Sequence, residues 1–303
     1  DRPELEGTGE GAEGRQQKLD LLSQYGNYDQ LSNIPQMLTD SLNPSFNNAT
    51  NWQDLFYKSG RISNYDVNVS AGNELLNYRL SMNYYDEDGI VRSTGFKRYS
   101  FRGNFDFKVS SKVNTNLILA ASRMDRKRGL GRNRDEIVPV SAASMPSSFV
   151  KLTDQDYDFY YGQYDKIRDQ NQSDQFSMYS QTNVDLVKGL QYSFQGSISG
   201  NLENRDRFQP SELDANGVSY ASSNKSNYFS YYLANVLTFT KSINKDHNFN
   251  IVGIQSYQYD QRRKTYIEGY NVPTDDIQVV QGIPQKDLSG FSDLGKAALL
   301  SFT

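Results

Sequence analysis

The stretch from Arg61 to Val109 alternates polar and apolar residues in three successive runs, and this pattern constrains the fold more than any other feature of the chain. In the first run the apolar side chains stand at Tyr65, Val67 and Val69, with Asn, Asp and Ser between them. The next two runs repeat the alternation, and aromatic residues dominate the apolar side of the third. A period of two is the signature of β-strands whose two faces meet different surroundings. The sequence therefore predicts an all-β fold.

Strand length and loop length together predict the kind of β-protein. Eight alternating runs follow Trp52, and they reach about ten residues or more, which suits strands tilted across a bilayer. The runs are joined alternately by tight turns (72–74, 110–112, 188–189, 242–246) and by longer polar segments (86–95, 125–172, 205–225, 262–292). Short connections on one side and long ones on the other are typical of outer-membrane barrels. We therefore predict, within residues 51–303, about eight strands of a large antiparallel transmembrane β-barrel, with residues 1–50 as an irregular, partly helical lead-in.

Composition is compatible with a barrel and excludes several chemistries. The chain is 36% hydrophobic and has no run near 20 apolar residues, as expected if only alternate residues face lipid. With no cysteine and one histidine, a thiol nucleophile, a disulfide framework and a His/Cys metal cluster are excluded. The net charge of -4 argues against nucleic-acid binding. The run Asp154, Asp156, Asp158 begins like a calcium loop, but Phe159 replaces the required glycine. We predict no catalytic residues, no metal, no cofactor and no enzyme activity.

Tyrosines in the longest predicted loop are the candidate substrate contacts. They are Tyr157, Tyr160, Tyr161 and Tyr164, mixed with Asp and Gln. Aromatic faces beside acids and amides suit sugar rings and also peptides. Packing of the loop against itself is an equally good interpretation of this run.

A basic cluster stands where a strand enters the same loop. Its members that we consider as contacts for lipopolysaccharide phosphates are Arg126, Lys127, Arg128 and Arg132. Arginine forks bind phosphate oxygens in pairs. The alternative is a solvated loop base without a ligand.

Several motifs resemble the start of the barrel in SusC/RagA-type TonB-dependent transporters. They are the Trp-Gln-Asp element at 52–54, the strand 65–70 with its Gly72-Asn73-Glu74 turn, the Asp-Gly-Ile-Val element at 88–91 and the strand opening Gly95 to Ser100. Their order and spacing match the family over residues 51–122, and beyond that only the strand rhythm does. Ala71-Gly72 departs from the two glycines that the family often has.

The resemblance implies a function and a set of partners. It implies TonB-dependent import of nutrients, glycans or oligopeptides, across the outer membrane of a Gram-negative bacterium. It also implies a SusD-like surface lipoprotein as a lid, contact with TonB through an upstream segment, and contact with outer-membrane lipid. Family barrels have about 22 strands, so a piece of a longer protein is expected. A passive porin and a soluble β-rich binding or adhesion module are the alternatives, and the substrate itself is not fixed by the sequence.

Overall fold

A computed structural model gives the conformation of most of the chain. It describes residues 11–25, 36–50, 57–91, 93–128, 149–151, 166–213, 217–243 and 247–303, with a few single positions between 153 and 162.

The described residues form one antiparallel sheet of nine strands, each paired with the next along the chain. The strands are β1 (Arg61–Gly72), β2 (Leu76–Asp88), β3 (Thr94–Ser110), β4 (Val113–Arg128), β5 (Arg168–Val187), β6 (Leu190–Gln209), β7 (Tyr220–Ile243), β8 (His247–Tyr270) and β9 (Leu288–Phe302). The helices are α1 (Gly11–Tyr25) and α2 (Gln36–Thr39), and short 3₁₀ turns lie at Pro44–Phe46, Ser211–Leu213, Val280–Gly282 and Gln285–Asp287. Among the described helices, none is both long enough and apolar enough to cross a membrane. The fold is that of part of a large antiparallel β-barrel, as predicted.

The register gives the sheet two chemically different faces. Residues directly opposite each other in antiparallel strands point to the same side, and Tyr78 opposes Phe105 while Met82 opposes Phe101. This side, which also holds Leu80 and Phe107, is the apolar face. The other side, with Arg79 opposite Asn104, is the polar face. The predicted alternation of strands β1–β3 is therefore confirmed.

The apolar face is largely uncovered. Val67 is 60% exposed, Met82 55% and Ile251 62%, which a soluble sheet would avoid by packing a second layer against these side chains. Most core-like burial lies instead at one end, where Phe208, Ala221, Val272, Val280 and Ile283 form a small cluster.

That cluster forms because the connection between β8 and β9, residues 271–287, folds back over the apolar face. Val272, Val280 and Ile283 from this connection pack against Phe208 of β6. A Cβ atom at Gly269 would stand 3.1 Å from Ile283, so glycine gives the connection the room to approach the sheet.

Several strands extend further than the alternation of hydrophobic residues predicts. β5 begins at Arg168, β6 continues to Gln209 and β8 to Tyr270, and β9, which follows the eight predicted strands, starts at Leu288. In these extensions both faces carry polar residues, so periodicity gives no signal. Backbone pairing and cross-strand ion pairs, such as Arg168 with Asp206 at 3.7 Å, continue the ladder there.

The lead-in contains the predicted helical segment 15–25 within α1. The Arg15 side chain is buried, and its Nη1 donates to the Leu38 carbonyl at 2.8 Å. The division of the chain at residue 50 stays a prediction.

Candidate binding face of the sheet

The long strands place a band of polar chemistry beyond any hydrocarbon layer. β7 and β8 have 24 residues each, about 80 Å of extended chain, whereas a bilayer core is about 30 Å thick. At the ends joined by the long connections, hereafter the loop end, the polar face carries aromatic rings among charged groups.

Tyrosine hydroxyls on this face are held by the residue two positions later. The Tyr85 hydroxyl donates to Glu87 at 2.8 Å, and the Tyr266 hydroxyl donates to Glu268 at 2.5 Å. Residues i and i+2 share one face of a strand, so this spacing lets a ring stand upright beside a carboxylate. The rings are thereby held in one orientation.

The first group at the loop end is the arginine–aromatic stack, formed by Tyr85, Phe96, Arg98 and Arg126 on β2–β4. The Tyr85 and Phe96 ring centres are 5.8 Å apart. The Arg98 guanidinium lies 5.7 Å from the Tyr85 ring centre, and that of Arg126 lies 5.2 Å from the Phe96 ring centre. Two cations therefore flank two rings at distances that allow cation–π attraction.

The second group is the tyrosine–glutamate cluster, formed by Tyr220, Tyr266, Glu268 and Tyr270 on β7 and β8. The Tyr220 hydroxyl donates to Glu268 at 2.8 Å and lies 3.1 Å from the Tyr266 hydroxyl. The Tyr220 and Tyr270 ring centres are 5.2 Å apart. The cluster offers ring faces and a carboxylate three to six strand spacings from the stack, about 14 to 29 Å along the sheet.

An ion-pair centre lies between the two groups. The Asp169 side chain is only 2% exposed, and Arg205 donates to both its oxygens, at 2.9 and 2.7 Å. Arg207 lies 3.9 Å from the same carboxylate. Beside them Asn171 donates to Glu203 at 3.3 Å. These charges compensate one another, so this centre stiffens the face.

Two connections are bound together above the loop end. The Ser211 hydroxyl donates to Asp275 at 3.1 Å, joining residues 210–219 to residues 271–287. The Val272 amide donates to the Ser219 hydroxyl at 2.9 Å. Burial, and then a hydrogen bond with Glu212, raise the pKa of Asp275, while the hydrogen bond with Asp275 is the main cause that lowers the pKa of Glu212. The two carboxyl groups therefore share a proton as the pH falls.

This arrangement is suited to binding. Rings, guanidinium groups, amides and carboxylates are fixed on one rigid surface, which is how proteins hold sugars, peptides and other polar ligands. Among the described residues, no three His, Cys, Asp or Glu side chains converge as a metal site.

Comparison with known proteins gives sequence relatives over parts of the chain. The TonB-dependent receptor P26 of Formosa agariphila is 34% identical over 87 residues, 29% of this chain and 9% of that protein. The TonB-dependent receptor P3 of the same organism is 22% identical over 249 residues, 75% of this chain and 24% of that protein. The TonB-dependent receptor SusC of Bacteroides thetaiotaomicron is 28% identical over 72 residues, 21% of this chain and 7% of that protein. No family model matches the chain.

The fold comparison decides the architecture. The structure of the RagAB peptide importer in its closed-closed state matches with a TM-score of 0.70 at 19% identity, covering 98% of this chain and 37% of the importer chain. The predicted resemblance to SusC/RagA-type TonB-dependent receptors is confirmed. The chain spans at most 24% of the length of these three curated relatives.

The predicted tyrosine contacts of this SusC/RagA-like chain are only partly described. Tyr157 is 39% exposed in a helical turn, and its amide donates to the Thr153 carbonyl at 3.1 Å. Tyr160, Tyr161 and Tyr164 lie outside the described residues. Their contact with a substrate stays a prediction.

The predicted basic cluster is divided by the pleat of β4. Arg126 lies opposite Phe96 on the polar face, whereas its neighbour Lys127, opposite Gly95, lies on the apolar face. Arg128 ends β4 on the side of Arg126, and Arg132 lies outside the described residues. Successive strand residues point to opposite sides, so Arg126 and Lys127 lie on different faces of the sheet. Contact of the four basic residues with lipopolysaccharide phosphates stays a prediction.

Sequence reasoning did not find the stack or the tyrosine–glutamate cluster. The available signal was the repeated Tyr-x-Glu spacing at Tyr85 and Tyr266. Both Tyr-x-Glu pairs lie in segments that were predicted as loops or strand ends. The neighbouring strands that complete each group were therefore not known from the sequence.

Proposed function

We propose that this chain is part of a TonB-dependent transporter that imports nutrients across the outer membrane of a Gram-negative bacterium. The observation that carries the proposal is the fold match to the RagAB peptide importer over 98% of the chain. The transporter binds substrate and has no enzyme activity, in line with relatives named as receptors and importers.

Chemistry on the apolar face supports a membrane boundary near the loop end. The rings of Tyr65, Tyr84 and Tyr99 form a row across three strands, with centres 6.2 and 5.0 Å apart. Next to this row, toward the loop end, Asp86 pairs with Lys97 at 3.3 Å. Aromatic girdles followed by charges are typical of barrel interfaces. Lys127 lies on the same face, and we propose it as a contact for lipopolysaccharide phosphates.

The substrate of the proposed transporter is a glycan or an oligopeptide, and a SusD-like lipoprotein closes its extracellular side. The rings, amides and paired charges at the loop end of the polar face suit either substrate. We propose Tyr157, in the connection between β4 and β5, as a further substrate contact. Energy comes from TonB, through a segment of the full-length protein upstream of the barrel.

Gene deletion in the native host tests the proposal. Uptake of labelled oligosaccharides and oligopeptides is measured in wild type, in the deletion strain and in a strain without TonB. We expect the deletion to abolish uptake of at least one substrate and the loss of TonB to do the same. Uptake that persists without TonB would indicate the passive porin. A full-length protein that stays in solution without detergent would indicate the soluble binding module.

A further inference from the structure

We infer that the arginine–aromatic stack is a subsite for the carboxylate groups of an acidic oligosaccharide. This inference rests on the proposed import function and narrows its substrate class. The stack consists of Tyr85, Phe96, Arg98 and Arg126 on the polar face of β2–β4.

The first observation is how the two cations are held. Arg123 and Arg205 on the same sheet are paired with aspartates at 2.6 and 2.7 Å. Arg98 and Arg126 are placed by ring contacts at 5.7 and 5.2 Å instead, and the described part of the chain gives neither of them an ion pair with a carboxylate. A guanidinium that stacks on a ring keeps its planar donors for an outside acceptor.

The second observation is a donor without an acceptor. Arg98 donates through Nη2 to the Asn83 side chain at 3.2 Å. Its Nε is buried and has no hydrogen-bond partner among the described residues. An unpaired charged donor is costly to bury, so the protein itself leaves this guanidinium incompletely satisfied. A carboxylate that accepts from the remaining Nη donors would compensate its charge. The nearby Glu87 carboxylate already accepts from the Tyr85 hydroxyl at 2.8 Å.

The surroundings favour a sugar over a peptide. On β2–β6 the next level of the polar face toward the tight turns carries uncharged amides and hydroxyls, since Asn83, Ser100, Ser122, Gln175 and Asn201 lie side by side. On β1 the same row holds Asp66, which accepts from the Asn83 side chain at 2.8 Å. Such groups donate to and accept from sugar hydroxyls, and the rings of Tyr85 and Phe96 offer faces for a pyranose. Apolar pockets for peptide side chains are not part of this row.

Matched arginine substitutions test the subsite in the full-length protein purified from native membranes. The variants are Arg98→Gln, Arg126→Gln and, as the control, Arg79→Gln. Arg79 lies on the same polar face, six residues from Tyr85 along β2, which is about 20 Å away. Each of the three variants loses one positive charge, but only the first two lose it from the stack. Binding is measured by calorimetry with trigalacturonate, with neutral maltotriose of equal length, and with triglutamate.

We expect trigalacturonate to bind the wild type at least about tenfold more tightly than either other probe. Arg98→Gln and Arg126→Gln should each lose about tenfold of that affinity, consistent with loss of a charge-assisted hydrogen bond, and Arg79→Gln should not. The preference should also weaken as salt is raised, because the charges are near the surface.

Three results would overturn the inference while leaving import intact. The first is equal binding of trigalacturonate and maltotriose, or no binding of either. The second is an equal loss in all three variants, which would indicate a general effect of charge. The third is tighter binding of triglutamate, which would show that the carboxylates come from a peptide and would refute the sugar assignment. Failure of the import function is separately visible, because uptake in the native host would then not depend on the gene.

Discussion

Two arginine–aspartate pairs of the same geometry lie in different surroundings on this sheet. Arg205 and Asp169 are 17% and 2% exposed, whereas Arg123 and Asp174 are 56% and 31% exposed. Both pairs are bidentate. Breaking a buried pair leaves a charge that water cannot solvate. Arg123 opposes Tyr99 in the tyrosine row on the apolar face, where its long side chain can reach water and lipid headgroups at the membrane boundary.

Removing the two aspartates should therefore have unequal effects. Asp169→Ala should cost about 3 kcal/mol, because Arg205 and Arg207 would lose their shared carboxylate. Asp174→Ala should cost less than about 1 kcal/mol. Urea unfolding of the refolded full-length protein measures both. Equal costs would show that burial does not set the energy of these pairs.

A charge on the apolar face should impair folding, and one on the polar face should not. Leu80 lies between Val69 and Gly103 on the apolar face. Leu80→Arg should cost roughly 2 to 4 kcal/mol if the site is near the membrane midplane. Ser100→Arg is the control, because Ser100 lies between Asn83 and Ser122 on the polar face. The folded fraction in lipid vesicles is the measurement, and an equal loss in both variants would contradict the assignment of the lipid side.

The connection between β8 and β9, which the structure describes throughout, has a structure of its own. It packs on Phe208 and is bound to the connection between β6 and β7 through Ser211 and Asp275. This element is held by a small apolar cluster and by one titratable contact.

The loop contact should depend on pH with a defined sign. The raised pKa of Asp275 means that folding favours its protonated form, so its contribution is present at low pH and is lost as the pH rises through the raised pKa. The lowered pKa of Glu212 acts oppositely, and its contribution is lost as the pH falls through the lowered pKa. The contact should therefore be strongest between the lowered pKa of Glu212 and the raised pKa of Asp275.

The Asp275→Asn variant should keep the contact between the two connections as the pH rises. Its amide oxygen still accepts from Ser211, and it carries no charge at any pH. Hydrogen-exchange protection of residues 271–287, followed over a pH series from about 3 to about 8, measures this. Asp276→Asn is the control, because the Asp276 amide bonds to Thr274 and not to Ser211. Protection that still falls with rising pH in the Asp275 variant would refute the mechanism.

On the scale of the whole molecule, the sheet has one end of tight turns and one end of long connections. Gly189 has a φ of +87° in the turn between β5 and β6, whereas Gly162 in the connection between β4 and β5 has nothing within 4 Å of an added Cβ. In barrels of this kind the long connections are extracellular.

A short epitope tag tests this topology in intact cells. A tag after Gly162 should be labelled from outside, and one between Lys188 and Gly189 should be labelled only after the cells are opened. Asn171, which the sequence placed in the loop, is unsuitable because it lies within β5 and opposes Arg205. Labelling of the second tag alone on intact cells would reverse the orientation.

The sequence by itself determined the strands that have one apolar side. The alternation from Tyr65 to Phe107 fixed their faces, because every second residue must meet a different environment. The Gly72-Asn73-Glu74 turn fixed a boundary for the same local reason, since turn chemistry is set by a few adjacent residues.

Where both faces of a strand are polar, only the tertiary structure decided how far the strand extends and which side chains meet. Residues 204–209 pair with β5, and there Arg205 meets Asp169, which is 36 positions away in the sequence. No local sequence pattern predicts such a contact. The stack of Tyr85, Phe96 and Arg126 likewise joins three strands whose register is set by backbone pairing over their whole length. The alternation of apolar residues is a local property that the sequence shows directly. A binding face depends on which strands become neighbours and in which register.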